Sequence, residues 1–368
     1  MTMLKIVRML GGVLFLLFWT ASPWAQEKGW QEDWNRIVAA SKKEGTVVVT
    51  GDPDPVMRKE IPARFSAKYG IPVQWIGGRG GQIAAKLRVE RRAGAYSIDV
   101  FMAGIGTAAN ILYKEKMIDP LKPALILPEV TDPSKWKKGK LPFVDPEEKY
   151  ILRLLNYVVA ILYINTTQVK RGDIKSMKDL LDPKWKGKIM TRDPSVSGSG
   201  SNDATKLYLM FGEEFVKRLY VDQKPIISRN RRQIMDWLAR GVYPISLTAS
   251  DVEVKRMQKD GFPLDIIYNL SDLPGIVSGG DGMMALMNNA PHPNAARVFI
   301  NWAASREGLE VFSRSRLRAT TRNDVDESFL PKEGIPVPGV EYFDSYGWEF
   351  TIKHRERVRR HMKKLLGR

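Results

Sequence analysis

Thr46-Val-Val-Val-Thr-Gly-Asp-Pro-Asp-Pro55, Pro72-Val-Gln-Trp-Ile-Gly-Gly-Arg-Gly-Gly-Gln82 and Ser97-Ile-Asp-Val-Phe-Met-Ala-Gly-Ile-Gly106 share one layout. Each begins with a β-prone run, turns through glycine or proline, and leads into a helical pattern. The first run is β-branched throughout, as expected of a strand covered on both faces. Helices are expected at 56–69, from Gln82 to about residue 92, and after Gly106 through residue 114. Strand and helix alternating in this way predict an α/β fold with a parallel sheet and helices on both faces. Ligands of such sheets bind beyond the carboxyl ends of the strands. The three turns are therefore expected to line one edge, which makes Asp52, Arg79, Gly80, Gly81 and Gly104 candidate binding residues. Arg79 stands among four glycines and offers a planar donor fork suited to carboxylate or phosphate; the competing reading is a solvated surface charge.

A second run of the same kind is Lys188-Ile-Met-Thr-Arg-Asp-Pro-Ser-Val-Ser-Gly-Ser-Gly-Ser-Asn-Asp203. It reads as a strand at 189–192, a loop of small residues, and a helix from about Asn202 to Met210. Small residues allow close backbone approach to a bound group, and a helix start offers unpaired N–H groups to an anion. Ser197 and Ser199 join the candidates, although the same residues also suit an ordinary helix cap. Further helices are expected at 212–220 and 231–240, with strands at 226–229, 243–248 and 265–268. Between the two halves, Arg153-Leu-Leu-Asn-Tyr-Val-Val-Ala-Ile-Leu-Tyr-Ile-Asn165 is longer than one strand needs and reads as a crossover, with Tyr157 placed to stack on a ligand. Arg229 and Asp251 complete the candidate set at element ends of the second half. Asp52, Asp203, Asp251 and Asp281 form a competing acidic set suited to an amine or cation. Gly279-Gly-Asp-Gly-Met-Met-Ala-Leu-Met287 reads as a return to the first half, covered by helices at 291–306 and 308–314.

The chain has 368 residues, 43% of them hydrophobic, which is material for about two domains with real cores. Lys5 and Arg8, the apolar run 9–19 and Thr20-Ala-Ser-Pro-Trp-Ala25 form the layout of a cleaved secretory signal over residues 1–25. Cysteine is absent, so disulfides, thiolate nucleophiles and cysteine zinc sites are excluded. Export without disulfides suits a bacterial periplasm. The formal charge is +17, falling by two to +15 without Lys5 and Arg8. Eight Lys or Arg against one Glu lie between Lys353 and Arg368, a basic tail expected to face solvent or an anionic membrane surface. No aromatic-basic platform or zinc-finger spacing points to nucleic acid.

Three histidines, His292, His354 and His361, leave little from which to build a triad or a histidine metal site. Gly104-Ile-Gly-Thr-Ala-Ala109 fits the G-x-G-x-x-A dinucleotide fingerprint, but in the third β-α turn and without an acidic residue at a strand end about 20 positions on. A nucleotide-dependent oxidoreductase is the rival reading from another class; no cofactor is expected on the favoured one.

Trp34-Asn-Arg-Ile-Val-Ala-Ala-Ser-Lys-Lys-Glu-Gly-Thr-Val-Val-Val49, Leu180-Leu-Asp-Pro-Lys-Trp-Lys-Gly-Lys-Ile189, Gly241-Val-Tyr-Pro-Ile245 and Asn289-Ala-Pro-His-Pro-Asn-Ala-Ala-Arg-Val-Phe-Ile300 resemble the family 1 extracellular solute-binding proteins of bacterial ABC importers. The likeness spans roughly residues 30–315 and is nearest the ferric-iron-binder-like branch. It implies a type 2 periplasmic binding fold, two α/β lobes joined by a two-strand hinge, with one solute held in the cleft. The implied organisation is a first lobe at 26–155, a second lobe with the crossover at 156–275, a return at 276–320, and a C-terminal extension at 321–368. The implied partners are a small solute and an inner-membrane permease, the receptor being a monomer and not an enzyme. Ferric binders of the branch carry adjacent tyrosines where this chain has Ala249-Ser-Asp-Val252, a poor match to a hard cation that prefers anionic oxygen. The arginines and helix starts favour a small organic anion, a carboxylate or phosphonate, over ferric iron, polyamines or thiamine.

Overall fold

The computed structural model describes residues 23–78 and 80–368. The segment read as a signal, 1–25, lies outside the described residues except for its last three, which open α1 (Pro23–Glu44). No helix among the described residues is long and apolar enough to cross a membrane.

The first half follows the alternation read from its sequence. Gly45, at φ 80°, ends α1 and admits β1 (Val47–Gly51), buried at every position. Asp54 caps α2 (Pro55–Tyr69), its Oδ1 accepting from the Val56 and Met57 amides at 2.9 and 3.1 Å; Pro55 fixes the first turn, and Gly70 closes the helix in the left-handed region. Then come β2 (Val73–Gly77), α3 (Gly80–Arg92), β3 (Val100–Ala103) and a short α4 (Ile105–Thr107) that continues in π geometry through Ala108–Tyr113. The segment between residues 114 and 151 holds β4 (Ile118–Asp119) and α5 (Pro128–Thr131), with Trp136 buried and its indole N–H donating to the Val130 carbonyl at 3.0 Å.

The long apolar run divides into three strands, β5 (Leu152–Arg153), β6 (Tyr157–Val158) and β7 (Leu162–Asn165), each in a different sheet. That division makes it a crossover. The second half contributes β8 (Ile189–Arg192), α6 (Ser199–Lys217), β9 (Ile226–Ser228), α7 (Arg231–Ala239), β10 (Ile245–Ser246), α8 (Asp251–Lys259) and β11 (Leu264–Ile267). Gly212, at φ 82°, kinks α6 where the sequence separated two helices. The chain returns through β12 (Ile276–Ser278) and β13 (Met283–Met287), is covered by α9 (Pro293–Ala304) and α10 (Arg306–Arg316), and ends in β14 (Phe343–Asp344) and α11 (Arg355–Leu365).

Two sheets organise the lobes. The first runs β2-β1-β3-β13-β4, with β5 also on β13; the second runs β11-β7-β10-β8-β9. The parallel order expected of the strand-helix repeats holds for β2-β1-β3 and for β10-β8-β9, and one strand in each sheet departs from it. β13 lies antiparallel to β3, and β7 lies antiparallel to β10 and β11, because both strands follow a crossing from the opposite lobe. Phe65, Phe299 and Trp302 meet at ring-centroid distances of 5.2 and 5.4 Å in the first core; Leu162, Ile189, Ile245 and Val216 anchor the second. Each such side chain contributes about 1.5–3 kcal/mol by leaving water. Between the lobes, β6 and β12 pair antiparallel, and β14 lies parallel beside β12. The hinge therefore has a third strand from the C-terminal segment beside the two that cross.

Candidate functional site

The carboxyl ends of β1, β3 and β8, the loop after β10 and the hinge strands converge on a cleft of about 290 Å³. The first lobe brings Asp52, Gly104 and Asp281 to it, and the second brings Arg192, Ser199 and Asp251. Tyr157 and Ser278 line it from the hinge, and Tyr346 from the C-terminal segment. Asp52 is fixed by its neighbours. The bare face of Gly51 lets the Trp75 ring lie against it, and the Trp75 indole donates to the Asp52 carbonyl at 3.2 Å.

Two arginines set the electrostatics. Leu317 caps α10 at φ 48°, a left-handed conformation uncommon for a branched residue. It sits between Arg316 and Arg318, and both guanidinium groups reach the cleft floor. Arg318 holds Asp251 Oδ1 at 2.7 Å and Asp281 Oδ1 at 3.1 Å, and its guanidinium lies 4.2 Å from the centre of the Tyr157 ring. Arg316 lies 3.1 Å from Asp54 Oδ2 through Nη1 and 3.0 Å from Asp281 Oδ2 through Nε, ion pairs whose geometry is too far out of line for a hydrogen bond in either case. Burial alone would push the Asp251 carboxyl up, but the charge and hydrogen bond of Arg318 outweigh it and hold the group down at about 2. Asp52 moves the other way: burial raises it, and the nearby Asp281 adds to the effect. Burial also raises the Tyr157 and Tyr163 phenols, against the pull of Arg318.

The opposite wall is built differently. The Arg192 backbone amide donates to Thr248 Oγ1, and its guanidinium reaches Ser199 Oγ at 3.4 Å, in the first turn of α6. Asp203, one turn on, pairs with the buried Lys206; burial raises its carboxyl, and Lys206 opposes the shift. The lobes touch across the cleft through α8. Besides Asp251 on Arg318, Arg256 reaches Asp54 Oδ2 at 3.4 Å, and Lys255 Nζ donates to the Leu317 carbonyl at 3.3 Å.

A two-lobed cleft with carboxylates and guanidinium groups at strand ends is a place to hold a small polar solute. Residues 60–334 match the model of the bacterial extracellular solute-binding protein family. The chain belongs to that family. It has the type 2 periplasmic binding fold, and its family binds solutes for ABC importers and is not enzymatic. An uncharacterized protein of Haemophilus influenzae is 23% identical over 335 residues, 84% of this chain and 88% of that one. AfuA of Actinobacillus pleuropneumoniae, solved with fructose-6-phosphate, superposes with a TM-score of 0.66 at 19% identity, covering 88% of this chain and 99% of the other. Iron-bound HitA of Pseudomonas aeruginosa gives 0.62 at 16% identity over 88% and 97%. An ABC-transporter substrate-binding protein of Agrobacterium tumefaciens gives 0.70 at 14% identity over 87% and 94%.

In this solute-binding protein, seven of the residues singled out in the sequence meet at the cleft: Asp52, Gly104, Tyr157, Ser199 and Asp251 of the binding candidates, and Asp203 and Asp281, which complete the competing acidic set there. Arg79 lies outside the described residues. Gly80 does not face the cleft; an added methyl there would meet Thr107 Oγ1 at 2.1 Å, so its bare face serves packing of the glycine turn on α4. Gly81 borders open space, and Ser197 is exposed away from the cleft lining. Arg229 turns to the loop instead, donating from Nε to Asp193 Oδ2 at 2.8 Å, because that buried carboxylate is the nearer anion. The close approach expected of the serine loop is real but internal. A methyl on Gly200 would lie 2.4 Å from the Arg192 carbonyl oxygen, so the glycine fits the loop to its own strand. Arg316 and Arg318 were missed in the sequence. The available signal was Arg314-Ser-Arg316-Leu-Arg318, alternating charge just past a helix.

Proposed function

We propose that the protein captures a small organic anion, a carboxylate or phosphonate, in the periplasm and delivers it to an inner-membrane permease. The observation that carries this reading is the Asp251 carboxylate seated on Arg318 at 2.7 Å, an anion of the chain itself held in the cleft by a buried guanidinium. Arg318 Nε has no hydrogen-bond partner, leaving a donor for a second acceptor. From the facing lobe, Arg192 and the first turn of the 19-residue α6 add donors of the same sense. A solute that bridges the two walls favours the closed lobes by its contacts with both. The alternative of a cationic solute, a polyamine or thiamine, draws support from Asp52 beside Asp281, whose Oδ2 lacks a hydrogen bond. Ferric iron bound through tyrosinate draws less, since Ala249 and Ser250 stand where the branch carries its tyrosines.

Native mass spectrometry of freshly purified protein tests the reading. Retention of a small anion, released on denaturation, is the expected result. Retention only of a polyamine or thiamine would overturn it.

A further inference from the structure

The last 26 residues, 343–368, lie beyond the part of the chain that matches the family, and they contact both lobes. The segment starts in the hinge, where β14 pairs with β12 and Asp344 Oδ2 accepts from Arg153 Nη1 at 2.7 Å. Ser345 donates from both its amide and its hydroxyl to the Val277 carbonyl at 3.0 Å. Tyr346 then lines the cleft. Trp348 packs edge-on against Tyr113 of the first lobe at 5.0 Å, and Ile352 joins the same cluster. One turn later the side chains belong to the other lobe: Val358 and Met362 are buried in the second core, and α11 packs along α6. The segment is thus a packed element on its apolar side, where Val358 and Met362 enter the second core, while six of its eight basic residues, Lys353, Arg357, Arg360, Lys363, Lys364 and Arg368, stay exposed.

Arg355 lies where the segment passes from one lobe to the other. Its Nη1 would be 3.0 Å from a methyl added to Gly106 of the first lobe, and its Nη2 reaches the Gly198 carbonyl of the second at 3.4 Å. Arg359 Nη1 donates to the Ser195 carbonyl at 3.3 Å, and Arg368 pairs with Asp193 at 2.7 Å, so three basic residues hold the serine loop. Two separate elements therefore join the lobes: α8 by polar contacts, and the C-terminal segment by apolar anchors in each core.

We propose that residues 343–368 form a clamp that belongs to the solute site and sets how far the lobes open, with Arg355 as its positioning residue. The lobes cannot part at the Gly106–Gly198 edge without Arg355 leaving one of its two neighbours, or Val358 and Met362 leaving the second core. The proposal rests on the cleft being the solute site, but its mechanical part is measured without solute.

The chain has no cysteine, so two exposed positions, Val89 in the first lobe and Val221 in the second, can be replaced by cysteine and spin-labelled cleanly. Electron–electron distance measurements on the solute-free full chain then report lobe separation directly. The expected result is a narrow distribution in the otherwise native chain and a broader one shifted to longer distances in Arg355→Ala, with the thermal transition unchanged. Arg355→Lys is expected to restore most of the native distribution by keeping the charge. A second variant, Met362→Ala, is expected to shift the distances in the same direction. Unchanged distances in both Arg355→Ala and Met362→Ala would overturn the clamp, whereas a wrong solute class would leave these distances as they are.

Discussion

At the scale of single residues, the cleft is organised by Arg318 and the carboxylates that share it. Asp251, held at about 2 by Arg318, contributes stability that is complete above the ordinary carboxylate range and is lost as pH falls through about 4 towards 2. Urea unfolding of the native chain and Asp251→Asn should therefore show a stability gap at pH 7, up to about 3 kcal/mol for a broken buried pair, that closes in that acid window. Asp52 has the opposite sign. Its raised carboxyl means that the charged form opposes the folded cleft at neutral pH. Asp52→Asn should raise the thermal transition at pH 7, and the gain should vanish in acid, where the native aspartate is already neutral; a lower transition at pH 7 would contradict this electrostatic reading. Asp52 and Asp251 could be picked out in the sequence because each follows a β-prone run, where a sheet presents its ligand-facing edge. For Arg316 and Arg318 the only signal was the alternating charge of 314–318, because the left-handed helix cap that separates them falls on a leucine and not on the glycine or asparagine that announces such a turn.

At the scale of elements, glycine-rich turns that look alike in sequence do different work. Gly200 sits against the backbone at the end of β8, with the Asp193 carbonyl oxygen also 2.7 Å from an added methyl, whereas Gly81 has nothing within 4 Å. Gly200→Ala should cost roughly 2–3 kcal/mol in urea unfolding, as overpacking against a rigid strand does. Gly81→Ala, in the first turn of α3, should be neutral or stabilising by up to about 1 kcal/mol. Equal effects at the two sites would mean that the loop yields where the structure has it fixed. The alternation of strand and helix was legible because apolar runs and turn residues punctuate it. α8 was not, since Asp251–Lys259 is dominated by charged residues and has no continuous apolar stripe. Nor was the antiparallel sense of β7 and β13, which depends on the direction of each lobe crossing and not on local composition.

At the scale of the whole molecule, two sheets, a three-stranded hinge and a C-terminal segment seated in both cores enclose one charged cleft. The cleft is charge-rich but internally paired, so a solute gains by replacing or extending contacts that already join the lobes. The resemblance ended near residue 315, just short of Arg316 and Arg318 and well before the clamp, so the sequence could supply the lobes without the means of holding them. Isothermal titration of the native chain and Arg318→Met, against one panel of carboxylates, phosphonates and sugar phosphates beside polyamines and thiamine, tests solute capture most directly. A single anion bound one-to-one, and at least tenfold more weakly by Arg318→Met at a temperature below its lowered melting transition, is the predicted result, that factor being about one charge-assisted contact. Binding confined to the cationic compounds, or an anion held equally well by both proteins, would contradict it.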